Sequence, residues 1–249
     1  MKLTNTIAVR PTKTVYRDGS YAIKVMNEEF SASDVLNEAL NLSIVFETGF
    51  PVPMLHEVLK IDGKWAIVTD YIEGKTLADL IKDNPADTDK YCERMVDIQL
   101  KMHTYTSERL RHLTDKMHVK ISKSSLDTVV RYELHMRLNG LPKHNMLCHG
   151  DFIPSNIIIT PSDEVYVIDW SHATQGSASA EAAQTYLRFK LAGEDKFAEK
   201  YLELFCLKSD SAMAYVQKWM SIVAASQLVK NVKEERELLL NWANVIEYV

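Results

Sequence analysis

The sequence predicts an α+β chain in two lobes: a small antiparallel sheet carrying one main helix, then a larger, mostly helical lobe. Two observations lead there. Up to about Tyr71, β-branched and aromatic residues gather in short runs around Asp-Gly turns, which is the signature of hairpins. Beyond Glu73-Gly74 the apolar residues recur every three to four positions, most clearly at Tyr91, Met95, Ile98, Met102 and Tyr105. That is helical spacing and core in character.

The first hairpin joins Thr14-Val15-Tyr16 to Tyr21-Ala22-Ile23-Lys24-Val25 through Arg17-Asp18-Gly19-Ser20. A helix follows, capped by Ser31 or Ser33 and closed before Gly49, with Val35, Leu36, Ala39, Leu42, Val45 and Phe46 on its apolar face. Val58-Leu59-Lys60-Ile61 and Lys64-Trp65-Ala66-Ile67-Val68 flank Asp62-Gly63 as a second hairpin. Further helices are expected over 125–138, 180–191, 195–206, 212–230 and 233–249. One β segment interrupts them, a hairpin of Ile157-Ile158-Ile159-Thr160 and Val165-Tyr166-Val167-Ile168 about Pro161-Ser162-Asp163-Glu164. The expected division is an N-terminal lobe over 1–69, a hinge over 70–75 and a C-terminal lobe over 76–249.

Composition narrows the partners. In 249 residues, 29 basic and 34 acidic side chains leave a formal charge of -5, so a protein that neutralises many nucleic-acid phosphates is not expected. Cys92, Cys148 and Cys206 are odd in number and form no CxxC, which predicts reduced, buried thiols and neither a disulfide framework nor a zinc site. No signal-peptide core opens the chain and no window approaches the roughly 20 apolar residues of a membrane span. The expectation is a cytoplasmic protein with no membrane partner; oligomeric state is left open.

The chemistry concentrates in Cys148-His149-Gly150-Asp151-Phe152-Ile153-Pro154-Ser155-Asn156 and, past the hairpin, Ile168-Asp169-Trp170. A carboxylate and an amide five residues apart, with a second carboxylate returned by a hairpin, predict three oxygen ligands or proton acceptors at one place. Phosphoryl transfer needs that set: one carboxylate to orient the attacking hydroxyl, and hard oxygen ligands for a Mg²⁺ bridging the phosphates. A protein-kinase catalytic loop, H-R-D-x-x-x-x-N followed by a metal-binding Asp, has the same plan.

On these residues the chain resembles the aminoglycoside phosphotransferase and choline kinase family, which has a protein-kinase-like fold. The resemblance implies Asp151 as catalytic base or hydroxyl-positioning group, Asn156 and Asp169 as Mg²⁺ ligands, and His149 as a structural residue of the loop. It further implies a nucleotide-phosphate lysine, matched by Lys24 in Tyr21-Ala22-Ile23-Lys24-Val25, and a glutamate partner on the following helix, Glu38, with Glu28, Glu29 and Glu47 as competitors. Gly49-Phe50-Pro51-Val52-Pro53 is similar to the family's G-x-P-V-P. Asp70, Tyr71 and Ile72 fall at the hinge, where backbone groups would meet the nucleotide base. His103, in Gln99-Leu100-Lys101-Met102-His103, resembles a structural family histidine.

There are also departures. The expected phosphate-covering loop, 8–13, has no glycine, although Arg10 or Lys13 could supply charge. The family's later D-x-A reads Glu181-Ala182-Ala183, so Glu181 either anchors the catalytic loop or reaches the acceptor. No A-P-E follows Asp169. The expected function is transfer of the γ-phosphate of ATP or GTP, with Mg²⁺, to a hydroxyl of a small molecule. A cationic acceptor is compatible with Asp151, Asp169, Glu181, Trp242 and Glu247. The rival readings are a nucleotide-binding pseudokinase, favoured by the glycine-free loop, and a protein kinase, disfavoured by the missing A-P-E.

Overall fold

The computed structural model describes residues 2–244. In chain order its elements are β1 (Asn5–Arg10), β2 (Lys13–Asp18), β3 (Tyr21–Met26), α1 (Ala32–Glu47), β4 (Leu55–Ile61), β5 (Lys64–Asp70), β6 (Lys75–Thr76), α2 (Leu77–Asp83), α3 (Thr88–Met102), α4 (Leu113–Lys123) and α5 (Thr128–Asn139). There follow β7 (Met146–Cys148), β8 (Ile157–Ile159), β9 (Val165–Val167), β10 (Thr174–Gly176), α6 (Ala178–Leu191), α7 (Asp195–Ser209), α8 (Met213–Gln227) and α9 (Arg236–Ala243). Short 3-10 turns lie at Pro85–Asp87, Pro154–Asn156, Trp170–His172 and Leu228–Lys230. No helix among the described residues is long and apolar enough to cross a membrane.

Packing divides the chain into two compact units, Met1–Pro85 with Pro154–Ala173, and Ala86–Ile153 with Thr174–Val249. The division is not sequential: the 157–168 hairpin, which the sequence assigns to a lobe over 76–249, packs into the first unit. There β8 lies between β9 and the two-residue β6. Gly74 is required at this junction, because a Cβ there would stand 2.4 Å from the Ile159 carbonyl oxygen.

The first unit is built on an antiparallel sheet of order β1-β2-β3-β5-β4. Side chains alternate across it. Ile23, Val25, Ala66 and Val68 form one core, and Met26 and Ile67 on the other face pack with Val35 and Ala39 of α1. The same alternation puts Lys24, paired in register with Ile67, on the side that carries α1. That helix begins at Ser31, whose hydroxyl accepts from the Asp34 amide while Asp34 returns a bond to the Ser31 amide, a complete capping box.

The second unit is helical, with α8 at its centre. Trp219, Ile222, Val223, Ala224 and Ala225 of α8 are buried, and α4, α6 and α9 pack against it. A two-stranded antiparallel pair, β7 with β10, runs through the unit.

Several expectations are corrected. The residues before Thr14 form the strand β1, so the glycine-free segment is a tight β1–β2 connection at Pro11-Thr12 and not a free loop. α2 and α4 were not foreseen, nor was the β7–β10 pair. The helix expected over 212–230 ends at Gln227 and tightens into a 3-10 turn. That expected over 233–249 forms from Arg236 to Ala243; its end and Glu247 lie outside the described residues. The cysteines are free, Cys92 and Cys148 buried and Cys206 partly so.

Candidate active site

In the first unit, a cavity of about 310 Å³ is lined by every expected site residue except Asp151. Lys24 extends from β3 and donates to Glu38 Oε1 on α1, and stands 3.3 Å from Asp169 Oδ1. Burial by itself would lower the pKa of the Lys24 ammonium; the Glu38 and Asp169 carboxylates outweigh burial and hold it above the ordinary lysine value. Of the competing glutamates, Glu28 is exposed and paired with Lys64 at 3.6 Å.

Asp169 follows the hairpin and sits in the left-handed region, at φ 71°, a conformation that costs energy for a non-glycine residue and is maintained by its surroundings. Those surroundings are visible: the Ile168 amide donates to the Asn156 carbonyl at 2.9 Å, and the indole Nε1 of Trp170 donates to the Val167 carbonyl at 2.9 Å. Asn41 of α1 donates to the Trp170 carbonyl at 3.3 Å. The cross-link from 168 to 156 fixes the spacing of Asn156 and Asp169.

Lys13, at the start of β2, places its ammonium 2.5 Å from Asp169 Oδ2. The Asp169 carboxylate therefore faces two cationic groups. A carboxylate and an amide oxygen in one cavity are hard ligands of the kind that suit Mg²⁺, and an ammonium already in contact with Asp169 shows that this place favours positive charge. Asn156 and Asp169 thus fit a bound Mg²⁺.

At the hinge, the amide of Asp70 donates to the Met54 carbonyl at 3.1 Å and that of Tyr71 to the Ser20 carbonyl at 2.7 Å. Both are spent within the sheet. The Asp70 carboxylate accepts from the Met54 amide at 3.0 Å and lies 2.7 Å from His56 Nε2. Ile72 makes no backbone hydrogen bond among the described residues and lines the cavity.

Asp151 belongs to the second unit, on the loop after β7. Gly150 has φ 81°, and its amide donates to Glu181 Oε1 at 2.6 Å. The Asp151 amide donates to Nδ1 of the fully buried His149 at 3.2 Å. Glu181, on the first turn of α6, is also fully buried, and its Oε2 meets His103 Nε2 at 2.9 Å. Glu181 therefore anchors the loop, and its burial leaves it no path to an acceptor. His103, Cys148 and Glu181 place ligand atoms within 4.8 Å of one another, but burial and the Glu181 charge hold the Cys148 thiol well above its ordinary pKa, as a thiol and not a thiolate.

One contact had no sequence signal: Arg188 of α6 places Nε 3.1 Å from Asp151 Oδ1. Nothing in the helical pattern of α6 marks that arginine among its neighbours.

With this geometry in place, comparison with known proteins gives the class. A model of the phosphotransferase enzyme family matches residues 12–219, and the chain belongs to that family. Among solved structures, a thermostable mutant of aminoglycoside phosphotransferase APH(4)-Ia, in ternary complex with ADP and hygromycin B, superposes with a TM-score of 0.69 at 15% identity, covering 96% of this chain and 89% of that one. The type VIII aminoglycoside-3'-phosphotransferase gives 0.65 at 18%, covering 92% and 94%. Choline kinase LicA from Streptococcus pneumoniae gives 0.61 at 16%, covering 94% and 88%. At these identities the likeness is one of fold, the protein-kinase-like fold of aminoglycoside phosphotransferases and choline kinases. Comparison with curated protein sequences finds no match.

Proposed function

We propose that this protein transfers the γ-phosphate of ATP or GTP to a hydroxyl of a small molecule, in the cytoplasm, where these nucleotides are plentiful. The observation that carries the reading is the Lys24, Glu38 and Asp169 cluster in a cavity that Asn156 also lines. Lys24, oriented by Glu38, would bind the nucleotide phosphates as a preformed cation. The base would lie against 70–72, with Ile72 offering backbone groups not already spent in the sheet. Asn156 and Asp169 would hold Mg²⁺, which when bound neutralises phosphate charge. Crystals of the fold neighbour APH(4)-Ia with ADP or AMP-PNP and hygromycin B are consistent with a nucleotide and a small-molecule acceptor.

In the transfer, the acceptor oxygen bonds to the γ-phosphorus, the bond from that phosphorus to the nucleoside diphosphate breaks, and the hydroxyl proton passes to the Asp151 carboxylate. The products are a phosphate monoester and ADP or GDP. Asp151 suits this role because the His149 and Glu181 contacts fix its loop while its side chain stays partly exposed. Asp151→Asn should lower turnover by about 10²–10⁴-fold while the thermal shift given by Mg-ATP is retained. Undiminished phosphate transfer in that variant would remove Asp151 from the chemistry.

A further inference from the structure

The cavity of the first unit lacks the backbone cradle that a glycine-rich turn gives a phosphate. Its β1–β2 connection is the tight turn at Pro11-Thr12, and Pro11 has no amide hydrogen to offer. The turn is also tied down: the Pro11 carbonyl accepts from Asn27 Nδ2 at 2.5 Å and the Thr12 carbonyl from the Asn27 amide at 3.0 Å. Positive charge for a phosphate is left to side chains. Arg10 and Lys13 face each other across this turn, and both line the cavity.

Of these two, Lys13 reaches the Asp169 carboxylate, 2.5 Å from Oδ2. Val15 stands opposite Lys24, and Lys13 lies two residues away on the same face of β2, so two ammoniums approach one carboxylate from neighbouring strands. Lys24 stands 3.3 Å from Oδ1, and each oxygen of Asp169 thus carries one ammonium. Lys13, Lys24, Glu38 and Asp169 are each at most 20% exposed, so these charges meet largely out of water. The two lysines are not held alike. Lys24 also donates to Glu38 and keeps that partner if it leaves Asp169. Lys13 has Asp169 as its one carboxylate among the described residues. Two ammoniums and two carboxylates sum to zero, and a divalent cation coming alone to Asp169 would meet both positive charges at close range. A nucleotide brings negative charge, and its phosphates can receive the ammonium that leaves Asp169.

We propose that Lys13 is an exchangeable cation of the donor site: it occupies Asp169 in the unliganded protein, yields that carboxylate to Mg²⁺, and moves onto the nucleotide phosphates. Lys13 is thus a phosphate-binding residue, supplying from a side chain the contact that Pro11 denies the backbone, and metal entry is tied to nucleotide entry. The inference rests on the phosphotransfer reading for the identity of the nucleotide; the competition at Asp169 stands on the Lys13 contact itself.

The test follows Mn²⁺, which takes the same oxygen ligands, by loss of its free-ion paramagnetic resonance signal in nucleotide-free protein, and Mg-ADP by calorimetry. Lys13→Gln should tighten Mn²⁺ about tenfold and weaken Mg-ADP about tenfold. Damage to the fold would weaken both, so the opposite signs are the signature. Lys13→Arg should return most of the Mg-ADP affinity and keep Mn²⁺ weak. Arg10 lines the same cavity and makes no ion pair with Asp169 among the described residues, so Arg10→Gln should leave Mn²⁺ near the parent value. Mn²⁺ unmoved or weakened in Lys13→Gln, an equal tightening in Arg10→Gln, or Mg-ADP unaffected by Lys13→Gln overturns the inference and leaves phosphotransfer standing. The expected opposite shifts, with no phosphate passed to any of a library of alcohols while Asp151→Asn matches the parent protein, overturn phosphotransfer and leave Lys13 in its role. A parent protein that binds no Mg-ADP overturns both.

Discussion

At the scale of single residues, charge and burial work against each other, and the balance differs from site to site. Lys24 is largely withdrawn from solvent yet remains strongly basic, because two carboxylates face it. Lys116 is half-buried and its pKa falls to about 7, first through burial and then through Lys120, Arg111 and Lys230. Below pH 7, Lys116 is protonated in both folded and unfolded chains, and the cost of holding that charge is fully present. As pH rises from 7 towards the ordinary lysine value of 10.5, the folded state releases its proton first and the cost is relieved. Lys116→Gln should therefore raise Tm by roughly 2–4 °C at pH 6, and by progressively less towards pH 10. A Tm unchanged at pH 6 would show that the charge is not held at a cost. The family resemblance pointed to Lys24 and Glu38, because a strand lysine followed by a helix glutamate can be matched position by position along the chain. It could not mark Arg188, since an isolated cation on a helix is ordinarily a solvated side chain.

Among the elements, those with strong local signals were legible. The two N-terminal hairpins carry Asp-Gly turns between β-branched runs, and α1 carries both its cap and its apolar face. Ser31→Ala breaks the capping box and should cost about 0.5–2 kcal/mol, measured as a lower Tm in thermal denaturation; because α1 carries Glu38, nucleotide affinity should fall with it. An unchanged Tm would mean that packing against β4 and β5 alone holds that end of the helix. β1 was missed because it is an exposed edge strand, with Ala8 its sole residue not fully open and Ile7 and Val9 exposed, so no alternation of core residues announces it. α2 is seven residues long, and α4 interleaves its buried Leu113, Met117 and Ile121 with lysines. Elements so short or so basic take their stability from packing rather than propensity.

For the whole molecule, membership of the phosphotransferase enzyme family fixes the class of reaction, and a nucleotide should stabilise the chain by mass action. Saturating Mg-ATP at about 100 times its dissociation constant should add roughly 2.7 kcal/mol, a Tm rise of about 5–10 °C. Chelating the metal with EDTA should reduce that rise, and Asp169→Asn should make it insensitive to EDTA. A full rise in EDTA would exclude Asn156 and Asp169 from metal binding. By itself the sequence determined the strand and helix regimes, the loop from His149 to Asn156 and the return of Asp169 by a hairpin, because each depends on residues a few positions apart. Tertiary structure alone decided that Lys13 meets Asp169 across 156 positions, that Glu181 is sealed beneath Gly150, and that Arg188 of α6 reaches Asp151. Which face of a helix is covered depends on what packs against it, and that partner lies far away in the chain.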